Sequence, residues 1–275
     1  MLCRESMRGA LLLTLGLSMT DCAHSRTEPV VTDSKAPTYR TVHFDHVDPQ
    51  KREQFENARR QWLRALNDAG LSDERGLFIQ AGPSTFLTLH TVGGFADLDR
   101  LQKARRVAPS RLKEAVDVYD RDSDSALVPP HHSELWSWAD YLDYRPAGGA
   151  LDERTFVAGY MLVEEVYPGP RGEPYFDAWE QMRAALEKAR YPLTRLSFST
   201  SYGRGRTISL WLAKSRADLD GAPSVADAIA GVLGKEKAEA LLERQRSGVV
   251  STERFDILRR RDLDSPERVS SAGKD

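Results

Sequence analysis

Three side chains suited to chemistry stand in two alternating runs. His43 and Asp45 lie two residues apart in Thr41-Val42-His43-Phe44-Asp45-His46-Val47, and His90 lies in Phe86-Leu87-Thr88-Leu89-His90-Thr91-Val92. Residues two apart on a strand share a face, so His43 and Asp45 point the same way. Two imidazoles and a carboxylate could hold iron, zinc or copper, or pass protons to and from a ligand. The same group could instead be a buried hydrogen-bonded cluster, or polar side chains facing water at a sheet edge.

Other patterns carry less chemistry. Asp120-Arg121-Asp122-Ser123-Asp124 opens like a calcium loop, but Ser125 replaces the turn glycine and His131 stands where a bidentate Glu is required. A solvated acidic turn is the better reading. His131-His132 follows Pro129-Pro130 and reads as an exposed pair. Tyr202-Gly203-Arg204-Gly205-Arg206 resembles a phosphate cradle, yet it joins two strands and feeds no helix N-terminus, so a hairpin is expected. Trp136 and Trp138 alternate along one strand and read as core. The sequence contains no Walker loop, nucleophile elbow, zinc-protease helix or paired-cysteine motif.

The elements that must position these residues come in two copies. A strand over Thr41–Val47 is followed by Asp48, a helix N-cap, and Pro49, preorganised for a first turn. Phe55, Ala58, Trp62, Ala65, Leu66 and Ala69 then form one apolar helical stripe that Gly70 ends. Phe55, Ala58, Trp62, Ala65 and Leu66 recur as Tyr175, Ala178, Met182, Ala185 and Leu186, a period of about 120 residues. Ala96-Asp97-Leu98-Asp99 recurs as Ala217-Asp218-Leu219-Asp220, and the hairpin glycine Gly82 as Gly203. Strands are expected at Leu77–Gln80, Phe86–Val92 and Glu134–Ala139 in one half, and at Arg195–Thr200, Thr207–Ala213 and Glu253–Arg259 in the other. Residues 39–148 and 149–264 thus form two βαββαβ units, the first with an insertion near 109–132.

A βαββαβ unit makes a four-stranded antiparallel sheet with both helices on one face. Two such units can bury their bare faces against each other. The expected class is therefore α+β, with two tandem ferredoxin-like repeats packed sheet to sheet as a pseudo-twofold α/β barrel. This duplicated pattern, from Tyr39 to Asp264, resembles the dimeric α/β-barrel superfamily, which includes antibiotic-biosynthesis monooxygenases, NIPSNAP proteins and chlorite dismutase relatives. In a barrel of that type, faces turned from the helices line a shared interior. Placing Val42, Phe44, Leu87 and Leu89 under the helices turns His43, Asp45, Phe86, Thr88 and His90 inward. Their counterparts are Leu162 and Glu164, then Thr207, Ser209 and Trp211. His43, Asp45 and His90 are the expected catalytic or ligand set, and Thr88, Glu164, Ser209 and Trp211 the expected ligand-binding residues. The resemblance implies an oxygenase- or isomerase-like enzyme for a small, partly apolar molecule. It also brings haem into view, with His90 as an axial ligand, although the sequence specifies no cofactor. The alternative is a non-catalytic interaction module.

Compartment is read from the N-terminus. Arg4 and Arg8 flank an apolar run from Gly9 to Met19, shorter than the roughly 20 residues that span a bilayer and suited to a secretory signal over residues 1–22. Cys22 follows that run where bacterial lipoproteins are acylated, although Asp21 breaks the usual box. Residues 23–38 read as a flexible tether and 265–275 as a disordered tail. An exported protein is expected, periplasmic or anchored through Cys22. The cysteines are Cys3 and Cys22 alone, so packing rather than disulfides must stabilise the fold. With 41 acidic and 39 basic residues, no global attraction to nucleic acid is implied.

Overall fold

A computed structural model of the chain describes residues 39–68, 76–94, 96–99, 110–129, 131–201 and 205–264. The signal segment, Cys22, the tether and the tail lie outside them, as do Tyr202, Gly203 and Arg204 of the expected hairpin. The first half runs β1 (Tyr39–His46), α1 (Arg52–Asp68), β2 (Gly76–Ala81), β3 (Thr85–Val92), α2 (Ser110–Asp124) and β4 (His132–Trp138). The second runs β5 (Ala158–Val166), α3 (Glu173–Ala189), β6 (Thr194–Thr200), β7 (Arg206–Ala213), α4 (Arg216–Gly221), α5 (Val225–Leu233), α6 (Lys235–Ser247) and β8 (Val249–Arg259).

Local chemistry sets these boundaries as the sequence suggested. Asp48 caps the turn before α1, its carboxylate accepting from Gln50 N at 2.9 Å. Gly82 turns the β2–β3 hairpin at φ +66°, a conformation that side chains resist. Both copies of the Ala-Asp-Leu-Asp box are helical. The stretch expected as an insertion holds α2, which packs on α1 as α6 packs on α3. It is the second helix of the first repeat. Asp120 to Asp124 form the end of α2, so the acidic run is helix rather than a calcium loop.

All pairings are antiparallel, and the eight strands close in the order β1-β3-β2-β8-β5-β7-β6-β4. Each half contributes a ferredoxin-like sheet, β4-β1-β3-β2 and β8-β5-β7-β6. The halves meet at two equivalent seams. Ile79, Gln80 and Ala81 pair with Arg259, Leu258 and Ile257, while Trp136, Ser137 and Trp138 pair with Thr200, Ser199 and Phe198. This is the fused dimeric α/β barrel that the repeats implied.

The barrel interior is apolar and filled. Val42, Leu87, Leu89 and Trp136 of the first half interdigitate with Met161, Phe198, Leu210 and Ile257 of the second. Trp136 is fully buried, its ring 5.7 Å from that of Phe198. These residues reverse the expected facing. Val42, Phe44, Leu87 and Leu89 point into the barrel, and His43, Asp45, Phe86, Thr88 and His90 lie on the helix-covered side. Phe86 demonstrates it, packing 5.2 Å from Phe55 of α1. Closure explains the reversal: a barrel wall is covered on both faces, and its interior, sealed from water by both sheets, takes the more apolar set.

Candidate functional site

The site lies between the second-half sheet and its helices, in a cavity of about 880 Å³. Its floor comes from one face of four strands: Tyr160 and Glu164 on β5, Arg195 on β6, Trp211 on β7 and Arg254 on β8. Trp179 and Met182 of α3, Val225 of α5 and Leu242 of α6 roof it, and the Gly82–Pro83 turn of the first half borders it. Ser224, the N-cap of α5, accepts from Asp227 N at 3.0 Å and fixes one end of the roof. A cavity of this size, with aromatic walls and charged groups on its floor and margin, suits a small organic ligand.

Aromatic contacts hold the walls. Tyr160 and Trp211 stack at 5.9 Å, and Trp211 meets the edges of Trp179 and Tyr191 at 6.1 and 5.6 Å. Arg195 crosses the floor with its Cζ 3.5 Å over the Trp179 ring, a cation–π contact strengthened by exclusion of water. The Arg195 side chain is buried, and its Nη2 donates to Ser209 Oγ at 2.7 Å and to the Tyr175 hydroxyl at 3.1 Å. That hydroxyl in turn donates to Glu164 Oε2 at 2.7 Å. Burial pushes the Glu164 carboxyl up, against the lowering effects of the Arg195 charge and the Tyr175 hydrogen bond. Burial pushes the Tyr175 phenol well up, so it serves as a donor and not as an anion. The relay Arg195–Tyr175–Glu164 can thus present a positive charge and a proton-accepting carboxyl to one ligand.

The sequence-derived candidates separate. Glu164 and Trp211 line this cavity, and Ser209 holds Arg195 in it. Thr88, His43, Asp45 and His90 belong to the other half. There His43 Nε2 meets Asp45 Oδ1 at 3.1 Å and its Nδ1 meets Ser133 Oγ at 2.8 Å. His90 lies against Gly76, where an added Cβ would fall 2.7 Å from its Cε1. No three His, Cys, Asp or Glu side chains among the described residues converge as a metal site. His132 stacks on Phe44 at 4.6 Å, and His131 meets His43 edge-on.

Strand register relates the floor of this cavity to the equivalent positions of the first half. Asp45 pairs with Phe86 as Glu164 pairs with Thr207, so the two carboxylates are equivalent. Gly76 pairs with His90 as Arg195 pairs with Trp211. Phe55, the counterpart of Tyr175, packs with Phe78 and Phe86 and fills the first half with apolar rings. In the second half Ser197 and Thr207 replace Phe78 and Phe86, and the hydroxyl of Tyr175 reaches Glu164. Arg195, Tyr160, Trp179, Tyr191 and Arg254 escaped sequence reasoning. The one available signal was an arginine opening an otherwise uncharged strand, Arg195-Leu-Ser-Phe-Ser-Thr200.

Haem, implied by the superfamily resemblance, does not fit the residues present. No histidine or cysteine stands among the described residues that line the cavity. Burial raises the phenols of Tyr160 and Tyr191, the latter to about 12, opposing the phenolate that a tyrosine ligand would need. His90 lies in the half filled by phenylalanines.

No protein-family profile and no curated protein matches the chain by sequence. Solved structures do resemble it. A candidate monooxygenase from Fusobacterium nucleatum subsp. nucleatum superposes with a TM-score of 0.51 at 8% identity, over 82% of this chain and 94% of that one. An anthrone oxidase-like protein gives 0.47 at 12% identity over 86% and 97%. A mutant chlorite dismutase from Candidatus Nitrospira defluvii gives 0.47 at 6% identity over 82% and 92%. At such identities the likeness is one of fold.

Proposed function

We propose that this is an exported ligand-binding protein that holds a small, partly apolar molecule in the second-half cavity and acts on it through proton transfer. The observation that carries the reading is that Glu164 and Arg195, on the floor of an aromatic-walled cavity, are joined through the buried Tyr175 hydroxyl. Glu164 is the proposed base: burial raises its proton affinity, and Tyr175 fixes its orientation. An isomerase-like reaction begins with such a proton loss. An oxygenase-like one is the alternative suggested by the monooxygenase description of the Fusobacterium nucleatum fold neighbour. Export rests on Arg4, Arg8 and the apolar run before Cys22.

Fluorescence titration with the neutral dye N-phenyl-1-naphthylamine tests the cavity. Saturable one-site binding to the wild-type protein is expected, with loss of that binding in Leu162→Trp, which places an indole in the cavity. Absence of saturable binding to the wild type, or undiminished binding to a folded Leu162→Trp, refutes the reading. For export, labelled fatty acid should enter the wild type and not Cys22→Ser if the protein is anchored. Retention of the whole N-terminal segment in the mature protein would refute export by this route.

A further inference from the structure

Three buried N–H sites on residues that line the cavity find no acceptor from the protein. They are Nε and Nη1 of Arg195 and Nε1 of Trp179. Both residues line the cavity, and each is only 2% exposed. Buried donors left without acceptors are rare because desolvating them is costly, and a charged one costs most. The surplus has a single sign, since every such group here is a donor.

Local charges offset it only in part, since the Arg195 charge acts on the Glu164 carboxyl without pairing with it. Glu164, the buried carboxyl on this floor, accepts its hydrogen bond from Tyr175, and no ion pair joins it to Arg195 among the described residues. Arg195 meets Tyr175 and Ser209 through Nη2 alone, leaving Nε and Nη1. Asp220 and Asp256 line the exposed margin together with Arg216 and Arg254, the last with its Cζ 4.1 Å over the Tyr160 ring. Around these donors the walls are flat and aromatic: Tyr160, Trp179, Tyr191 and Trp211.

We propose that the ligand is an aromatic anion, a planar ring system bearing a carboxylate or comparable oxyanion, with its charge on Arg195 and the indole N–H of Trp179. This deepens the cavity reading and rests on it. The anion neutralises the buried guanidinium and supplies acceptors to donors that have none. The ring system occupies the aromatic walls. Arg195 sets the ligand's orientation toward Glu164, because Tyr175 bonds both.

The test is displacement of N-phenyl-1-naphthylamine by two probes of nearly equal size, 1-naphthoate and 1-naphthalenemethanol, at constant ionic strength. The wild type should take 1-naphthoate at least about tenfold more tightly, the size of a charge-assisted hydrogen bond. Arg195→Met should remove that preference, read as the ratio of the two probes' affinities, and Trp179→Phe should reduce it about threefold. Equal displacement by both probes would overturn the anion assignment and leave the cavity standing. A preference retained in a folded, dye-binding Arg195→Met would overturn the role of Arg195. Should Arg195→Met not fold, a preference undiminished in a folded Trp179→Phe would overturn the proposal. Failure of the dye itself would strike the cavity reading instead.

Discussion

Glu56 on α1 is bound by Arg260, which follows β8, so one ion pair ties the first repeat to the second. Arg260 Nη1 and Nη2 reach Glu56 Oε1 and Oε2 at 2.6 and 2.8 Å, Arg52 Nε reaches Oε1 at 2.8 Å, and Arg60 Nη2 reaches Oε2 at 3.0 Å. The Arg260 hydrogen bond is the chief cause that holds the Glu56 carboxyl at about 2, against its ordinary 4.5, with burial opposing it. By linkage such a lowering corresponds to about 3 kcal/mol. Arg52 and Arg60 are about one-third exposed, so solvent screening reduces this to about 2 kcal/mol. Because the folded pKa is depressed, the contribution is complete above the unfolded pKa and is lost as pH falls from about 5 toward 2. Glu56→Gln should therefore be about 2 kcal/mol less stable than wild type at pH 7, a fall of several degrees in Tm. The gap should narrow to less than about half by pH 3 and close only near pH 2. Urea unfolding of both at pH 7, 5, 4 and 3 measures this. A gap that stays constant across that range, or is absent at pH 7, would show that Glu56 acts through packing or not at all.

Three further perturbations separate the barrel from the site. Trp136→Ala opens a cavity in the sealed interior and should cost about 3–5 kcal/mol in denaturant unfolding, and a loss under 1 kcal/mol would mean the interior is not packed as described. Gly159→Ala places a Cβ 2.0 Å from the Trp211 carbonyl oxygen. Strand backbone cannot yield without breaking the β5–β7 ladder, so the variant should be insoluble or at least about 3 kcal/mol less stable, whereas wild-type stability would disprove that approach. Tyr175→Phe reproduces the first-half residue Phe55, removes the donor to Glu164 and the acceptor of Arg195, and should cost about 1–3 kcal/mol. Its thermal unfolding should show the loss at neutral pH, and a stabilised variant would contradict the relay.

Much of the architecture was legible from one sequence because it depends on short-range periodicity. The helix stripe beginning at Phe55 and its copy beginning at Tyr175, the hairpin glycine Gly82 and the Ala-Asp-Leu-Asp boxes are local patterns, and each occurs where it was expected. Duplication then implied the pairing of halves. The face assignment failed for an equally physical reason. Alternation shows that Val42 and His43 point oppositely, but in a wall covered on both sides it does not show which side is drier. The site was partly legible: Glu164, Ser209 and Trp211 were singled out by their place in the repeat, although for a cavity on the wrong face.

Composition and period, which are properties of neighbours in the chain, determined the two repeats, the eight strands and the pairing of their sheets. Tertiary structure alone decided where the aromatic-walled cavity of the second half lies. That outcome depends on what comes together across long separations: Phe55, Phe78 and Phe86 close one copy, while Tyr175, Arg195 and Glu164 leave the other polar and lined by indoles. Gly76 and Arg195 occupy the same register position in their sheets. In one copy that position admits a neighbouring imidazole, and in the other it carries a buried charge, a difference of environment that spacing along the chain does not encode.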